Sequence, residues 1–395
     1  MDPAQPGHPR MTPNPQSAVF CSTVRGWGWG APDCVWPKAA AVLLQKQIPV
    51  TLVVHPDCLE RDEIRALRDA GAVIFVQPRR KAAGGHWSGL RHRLIRPRSE
   101  SRLATHLHQL PAPHFFFNQG GAYDLLDEDF FLPWTESPGA GYDIFVHLNQ
   151  PMPPFDTATR EKAKSLFLRA ERCLFNSPWT RRITETQLLQ DLPNARLFSY
   201  MLARSVAEPQ PWPDDGDGVA RLASISRLDA HHKGLDVLLL GLARMPANGP
   251  RWHFDIYGYG PDGPYLGEMI RWLGLESRVS LHSFVKDVST VWKDHHMLVL
   301  TSRYEGLAVS MLEAMSCGRP VLRTPYGGSE WVEDGRTGFL CPSAEPDTIA
   351  ASLTRALESR DQWPRMGKAA RENVLSRHPA DPWSVYLEPF AHLNP

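Results

Sequence analysis

Short, nearly continuous apolar runs alternate along most of the chain with longer stretches in which apolar residues recur at helical spacing. Strands of a parallel sheet are buried on both faces and therefore read as such apolar runs. The pattern predicts an α/β protein whose parallel sheets are covered by helices on both faces. In the first half of the chain it predicts helices such as 160–170 and 178–189, and strands at 18–21, 50–54, 73–76, 114–117, 144–147, 173–175 and 196–198.

The alternation is interrupted at 205–220 (SVAEPQPWPDDGDGVA), where proline, glycine and acidic residues remove any periodicity. Beyond this segment it restarts, with predicted strands at 222–226, 253–257, 279–281, 297–301, 320–323 and 338–341. We therefore expect two Rossmann-like domains in tandem with the active site in the cleft between them, since ligands of open α/β sheets bind beyond the carboxyl ends of the strands. The expected order is a disordered tail (1–16), an amino-terminal domain (17–204), a linker (205–220), a carboxy-terminal domain (221–378) and a C-terminal helix (379–395) that crosses back to the first domain.

Composition narrows the class of protein. The 395 residues include 43 lysines and arginines and 43 aspartates and glutamates, so no overall field favours nucleic acid. The six cysteines show no Cys-x-x-Cys spacing, which argues against disulfides and structural zinc and favours a reducing, cytoplasmic compartment. No apolar run reaches the ~18–20 residues that span a bilayer, and residues 1–16 lack the apolar stretch of a signal peptide. A soluble cytoplasmic protein is expected.

Two glutamates stand at the change from a predicted strand to a predicted helix. Glu305 lies in the loop after the strand, and Glu313 lies inside the helix 308–317, which Gly318 and Pro320 end. Gly306 allows a ligand to approach the backbone, and the free amides of Leu307, Ala308 and Val309 begin the helix. Carboxylates and amides in this arrangement bind the hydroxyls and phosphate oxygens of an extended ligand.

These residues carry a resemblance to a known family. Residues 305–313 (EGLAVSMLE), the AMSCGRPV that follows and 327–340 (GGSEWVEDGRTGFL) resemble the donor-binding signature of retaining glycosyltransferases of the GT-B fold, the glycosyl transferases group 1. Upstream, SISRLDAHHKGLDVLL at 224–239 is similar to that family's Arg…Lys-Gly phosphate segment, and YGYGP at 257–261 to its glycine-containing strand end. The resemblance covers about 221–376. It implies transfer of a hexosyl group from a UDP- or GDP-linked sugar to an acceptor hydroxyl, with retained anomeric configuration and without a cofactor.

The resemblance also implies roles for residues. Arg227 and Lys233 would neutralise the donor diphosphate, Glu305 would contact the sugar and Glu313 the ribose hydroxyls. His147, at the end of a predicted strand, resembles the histidine that this family places near the transferred sugar. The remaining candidates are Gly258, Phe284 and Val285 for donor binding, and Gly28, Gly30, Asn118 and Gln119 for the acceptor side of the cleft.

No metal site is expected, because the acidic runs at 127–129 and 214–217 read as solvated acids. Eight basic side chains stand within 79–102 against the single acid Glu100. The acceptor is expected to be a glycan, a lipid-linked molecule or a small molecule. The basic segment is a candidate for binding a phosphorylated or lipid-linked acceptor or for touching the inner face of a membrane, with a solvated loop as the alternative.

Other function classes stay open at this point. A nucleotide-sugar epimerase or a sugar phosphorylase of similar fold would use the same donor residues, and so would a non-catalytic donor-binding homologue. An NAD-dependent oxidoreductase also fits tandem Rossmann-like domains, but the Gly-x-Gly at 258–260 lacks the spacing of a dinucleotide fingerprint.

Overall fold

The computed structural model describes residues 14–23, 33–78, 98–151, 155–202, 208–214 and 216–393. The chain divides into two compact units. The first contains Met1–Met201 together with Asp381–Pro395, and the second contains Leu202–Ala380. Within the described residues, no helix is long and apolar enough to cross a membrane.

The first unit is built on a seven-stranded sheet in which all paired strands run parallel. Its strand order is β3-β2-β1-β4-β5-β6-β7. The winding reverses between β1 and β4, so the carboxyl ends of these two strands form the position at which open sheets bind ligands. The strands are β1 (Ser17–Ser22), β2 (Val50–Val54), β3 (Val73–Val76), β4 (Pro113–Gly121), β5 (Gly141–Leu148), β6 (Arg172–Phe175) and β7 (Ala195–Leu197).

Helices cover this sheet and bury an aromatic core. Phe115 and Phe117 of the central strand β4 are fully buried, as expected for a strand whose two faces are both covered, and Phe131 from a following loop packs in the same core. The helices are α1 (Trp36–Gln45), α2 (Asp62–Asp69), α3 (Arg98–Gln109), α4 (Thr157–Arg169) and α5 (Pro178–Leu188).

The end of the chain completes this first core. The predicted C-terminal helix is wrong in type, because 379–395 contains two 3₁₀ helices, Pro382–Tyr386 and Glu388–Leu393. Pro382 and Pro389 remove backbone donors at short intervals, which favours short turns over a continuous α-helix. Tyr386 is fully buried: its ring stacks on Phe145 at a centroid distance of 4.2 Å, and its hydroxyl donates to Asn118 Oδ1 at 2.6 Å.

The second unit repeats the architecture with a six-stranded parallel sheet of order β10-β9-β8-β11-β12-β13. Here the winding reverses between β8 and β11. The strands are β8 (Ala220–Ile225), β9 (Trp252–Tyr257), β10 (Val279–His282), β11 (Met297–Leu300), β12 (Val321–Arg323) and β13 (Gly338–Leu340). The helices are α6 (Ala230–Lys233), α7 (Leu235–Ala243), α8 (Gly263–Trp272), α9 (Val309–Ser316), α10 (Pro346–Glu358) and α11 (Trp363–Arg377).

Candidate functional site

Two loops meet at the switch point of the second sheet, one after β8 and one after β11. Asp229 caps the short helix α6 by accepting from the amide of His232 at 2.9 Å, and Gly234 ends it with φ +63°. Thr301 Oγ1 donates to the Gly234 carbonyl at 2.9 Å, and a Cβ at Gly234 would lie 2.0 Å from the Thr301 carbonyl oxygen. Only glycine permits this approach, which brings the residue before it, Lys233, to the end of β11.

Lys233 and Glu305 form a direct ion pair across these loops. Lys233 Nζ lies 2.8 Å from Glu305 Oε2, and Ser302 Oγ donates to the same oxygen at 3.1 Å. The two side chains are only 17% and 10% exposed. Burial raises the pKa of Glu305, but the positive charge of Lys233, reinforced by His232 and Arg323, outweighs it and holds the pKa at about 2. The carboxylate is therefore ionised at neutral pH, and a ligand that reaches it meets a neutralised pair.

Arg227 forms a second pair beside the first. Its guanidinium donates to Asp229, the residue that caps α6, and both side chains are mostly buried. Burial raises the pKa of Asp229, but the His232 amide and Arg227 outweigh it and leave the pKa below its usual value. Two cations and two carboxylates thus lie around His232, the residue between the two pairs.

Glu313 differs from Glu305 because its partly buried carboxylate has no ion pair or hydrogen bond recorded among the described residues. It lies in the second turn of α9. Burial and the negative charge of Asp287 raise its pKa to about 7. Ala308, the residue before α9, makes no capping side-chain hydrogen bond, so within the described residues the first amides of the helix have no capping acceptor. A carboxylate without a cation and a helix start without a cap both suit a ligand with hydroxyl donors and anionic oxygens.

The glycines after β9 pack against the Arg227 loop. A Cβ at Gly258 would lie 2.0 Å from the Ser226 carbonyl oxygen, and one at Gly260 would lie 2.4 Å from that of Leu228. The Gly258 amide donates to the His282 carbonyl at 3.2 Å, which sets the loops after β9 and β10 side by side. Phe284, which follows β10, is 70% exposed. Val285, the next residue, is half-buried.

Two residues that were not predicted from the sequence, Arg323 and Gly327, fix the position of the loop that contains Glu305. Arg323 at the end of β12 is fully buried and donates to the carbonyls of Tyr326 and Gly327 at 3.1 and 2.6 Å. Gly327 presses on the loop, since a Cβ there would lie 2.0 Å from the Gly306 carbonyl oxygen and 2.2 Å from that of Glu305. An arginine within the apolar run VLR at 321–323 was the sequence signal for this buried anchor.

The first unit contains the other candidates. His147 is the second-to-last residue of β5 and is 4% exposed. Its Nδ1 lies 2.9 Å from the Tyr200 hydroxyl oxygen. Burial lowers its pKa to about 3, so the ring is neutral at neutral pH. Gly28 and Gly30 lie outside the described residues.

The predicted position of Asn118 and Gln119 after a strand is wrong. Strand β4 extends to Gly121, and both side chains are fully buried within it. Asn118 accepts from Tyr386, while Gln119 donates to the Ala122 carbonyl at 3.2 Å and accepts from the Leu125 amide at 2.7 Å. These internal bonds, which the apolar pattern FFFNQGG does not reveal, occupy both polar atoms of Gln119 and the Oδ1 of Asn118, while Asn118 Nδ2 is buried without a partner among the described residues. In the parts of the chain that the structure describes, no group of three or more His, Cys, Asp or Glu side chains could hold a metal ion.

Residues 220–359 match the family Glycosyl transferases group 1, and this range contains both loops and α9. The chain is therefore similar, over the part that holds the candidate site, to group 1 glycosyl transferases. It is 31% identical over 127 residues to the poly(ribitol-phosphate) alpha-N-acetylglucosaminyltransferase of Staphylococcus aureus (strain COL), covering 32% of this chain and 26% of that protein. It is 30% identical over 147 residues to the alpha-D-kanosaminyltransferase of Streptomyces kanamyceticus, covering 36% of this chain and 37% of that protein.

The likeness in structure to solved proteins extends over both units of the chain. Anabaena HepE, solved in complex with UDP, superimposes with a TM-score of 0.67 at 18% identity, covering 91% of this chain and 95% of HepE. The predicted GT-B fold, with its two Rossmann-like parallel sheets, is confirmed. The sequence matches to the curated relatives span less than two-fifths of the length of those proteins.

Proposed function

We propose that this protein transfers a hexosyl group from a nucleoside diphosphate sugar to an acceptor hydroxyl, with retention of the anomeric configuration. The observation that carries the proposal is the arrangement at the start of α9. The buried Lys233–Glu305 pair lies before the helix, and the unpaired Glu313 lies inside it. Uracil is the first donor base to test, since HepE is solved with UDP and with UDP-glucose.

Each charged group then has one part of the donor to bind. Arg227, Lys233 and the uncapped amides of α9 face the diphosphate, whose negative charge grows as the bond to the sugar breaks. Glu305 faces the sugar, and Glu313 accepts hydrogen bonds from the ribose hydroxyls. Because Lys233 already neutralises Glu305, the ligand replaces water around the pair without leaving a buried charge uncompensated.

The reaction requires no protein nucleophile. The bond from the anomeric carbon to the phosphate oxygen breaks, the acceptor oxygen bonds to that carbon on the same face, and the leaving phosphate accepts the acceptor's proton. His147 is neutral and sits in a strand of the other unit, where it is proposed to contact the sugar as a neutral donor or acceptor. Phe284, Val285 and Gly258 are proposed to line the base.

The acceptor side stays a prediction. A glycan, a lipid-linked sugar or a small molecule supplies the hydroxyl, and the basic segment 79–102, most of which lies outside the described residues, is proposed to meet a phosphorylated acceptor or the inner face of a membrane. Gly28 and Gly30 remain proposed acceptor contacts. The cytoplasmic location and the position of the active site between the two units are part of this proposal.

A thermal-shift panel of UDP-, GDP- and ADP-sugars tests the donor. One series should raise the melting temperature, because a ligand at 100 times its Kd stabilises by about 2.7 kcal/mol. Proton NMR of the product should then show retained configuration, and transfer should persist in EDTA. Isomerisation of the donor alone would indicate an epimerase, and consumption of the donor only in the presence of phosphate would indicate a phosphorylase. Donor binding without turnover would indicate a non-catalytic homologue. Each of these three results rejects the proposal.

Gly327→Ala should slow transfer by about 10²-fold, although no donor contact is proposed for Gly327. The added Cβ collides with the Glu305 and Gly306 carbonyls and must displace the loop that positions Glu305, and a shift of about 1 Å costs about 10²-fold in rate. Gly267→Ala in α8 is the matched control, because no atom lies within 4 Å of its added Cβ. Equal rates for the two variants would show that Gly327 does not set the loop.

A further inference from the structure

A histidine lies at the centre of the charged site with no role so far. His232 directly precedes Lys233, and its ring stacks on Tyr304 at a centroid distance of 4.3 Å and an interplanar angle of 5°. Tyr304 directly precedes Glu305, so the stack and the Lys233–Glu305 pair form two adjacent connections between the same loops. The amide of Arg303 adds a third contact by donating to the His232 carbonyl at 3.0 Å.

The ring nitrogen His232 Nε2 has no hydrogen-bond partner among the described residues, although the side chain is only 8% exposed. Such a group is rare in a folded protein, because a buried polar atom without a partner loses its bonds to water and gains nothing in return. Burial and the charge of Lys233 lower the pKa of the imidazole to about 4, while Glu305 and Asp229 act in the opposite direction. A neutral ring therefore sits within electrostatic reach of all four charged groups of the site.

We infer that His232 is a further donor-binding residue whose Nε2–H donates a hydrogen bond to a diphosphate oxygen of the nucleotide sugar. Phosphate oxygens are acceptors only, and Lys233 and Arg227, the groups proposed to hold them, lie next to His232 in sequence and space. The Tyr304 ring fixes the plane of the imidazole, so Nε2 points in one direction before the ligand arrives. The inference rests on the proposed function. It adds His232 to Arg227 and Lys233 as a residue that recognises the diphosphate of the donor.

His232→Phe tests this inference, because it keeps an aromatic ring for Tyr304 to stack on and removes both ring nitrogens, including Nε2. Calorimetry with UDP should show about 10-fold weaker binding, as expected for one lost hydrogen bond, while the affinity for uridine should not change. His232→Gln, which restores an N–H donor, should recover part of the UDP affinity. His231→Phe is the matched control, since His231 is the exposed neighbour on the same helix.

A second readout separates contact from a structural role. In ¹⁵N-labelled protein the Nε2 resonance that disappears in His232→Phe should shift on addition of UDP and stay in place with uridine. Unchanged UDP affinity in His232→Phe, with wild-type protein that binds UDP, overturns this inference alone. A slower transfer rate with unchanged UDP affinity also overturns it and moves the contact to the sugar. Wild-type protein that binds neither UDP nor GDP removes the proposed function together with the inference.

Discussion

Replacing Glu313 with glutamine should make the protein more stable above pH 7 and at the same time weaken its binding of nucleoside diphosphates. Burial and Asp287 raise the folded-state pKa of Glu313 to about 7, above its ordinary value of 4.5. A raised carboxyl pKa means that ionisation opposes folding: the cost is absent below the unfolded pKa, grows as pH rises towards 7 and is complete above it. Glutamine mimics the protonated form, so the gain at pH 8 should be about 1–3 kcal/mol.

Urea unfolding at pH 4.5 and pH 8 measures this difference. The stability of Glu313→Gln should exceed that of wild type only at the higher pH, whereas Glu358→Gln, a change at an exposed glutamate on α10, should have no such effect. Calorimetry should show UDP affinity lowered by about 1–3 kcal/mol at pH 8, because a charged hydrogen bond is lost. Wild-type affinity should rise from pH 6 to pH 8 as the carboxylate ionises, and that of the variant should not. A destabilised variant at pH 8 would mean that Glu313 has a partner in the folded protein.

Lys233→Met should destabilise the protein by about 3–5 kcal/mol, a larger effect than expected for a surface lysine. The substitution leaves the Glu305 carboxylate, which is 10% exposed, buried without its cation. Among the described residues, Ser302 is then the remaining donor to Glu305 Oε2. The double variant Lys233→Met, Glu305→Gln removes both charges and should recover most of the lost stability. Transfer activity should be absent from both, since the diphosphate loses a cation in each.

The double-mutant cycle provides its own control. Glu305→Gln alone should keep UDP affinity nearly unchanged and lower the transfer rate, because a contact that strengthens as the sugar gains positive charge acts on the transition state. Additive stability changes in the cycle would show that the two side chains do not depend on each other. Loss of UDP binding in Glu305→Gln with retained binding in Glu313→Gln would reverse the orientation of the donor along α9.

The elements of the fold could be predicted from the sequence because local signals agree with the tertiary structure. Thirteen strands were predicted and each is present, with ends shifted by a few residues. Helix α9 also forms where the apolar spacing and Gly318 indicate it. At Ser177 the signal is a capping box: its side chain accepts from the Thr180 amide at 3.2 Å, which fixes the start of α5.

The ion pairs and hydrogen bonds between residues of the site could not be predicted from the sequence in the same way. The sequence placed Lys233 and Glu305 near one ligand but gave no sign that they bond to each other, because the contact depends on the close approach of two loops that are far apart in the chain. The polar residues of FFFNQGG looked like a strand end, whereas Asn118 continues the strand, and Tyr386, 268 residues later in the chain, donates to its Oδ1. Long-range partners of this kind leave no local pattern.

The position of Tyr386 also constrains how the protein is made. The aromatic ring that fills the space beside Phe145 belongs to a segment that leaves the ribosome after the whole of the second unit. Until that segment emerges, the newly made first unit exposes the aromatic faces of Phe20, Phe116 and Phe145 that Tyr386 covers. The nascent chain therefore exposes an aggregation-prone aromatic surface throughout translation of the second unit. A first unit produced by itself would need residues 381–395 joined after residue 201.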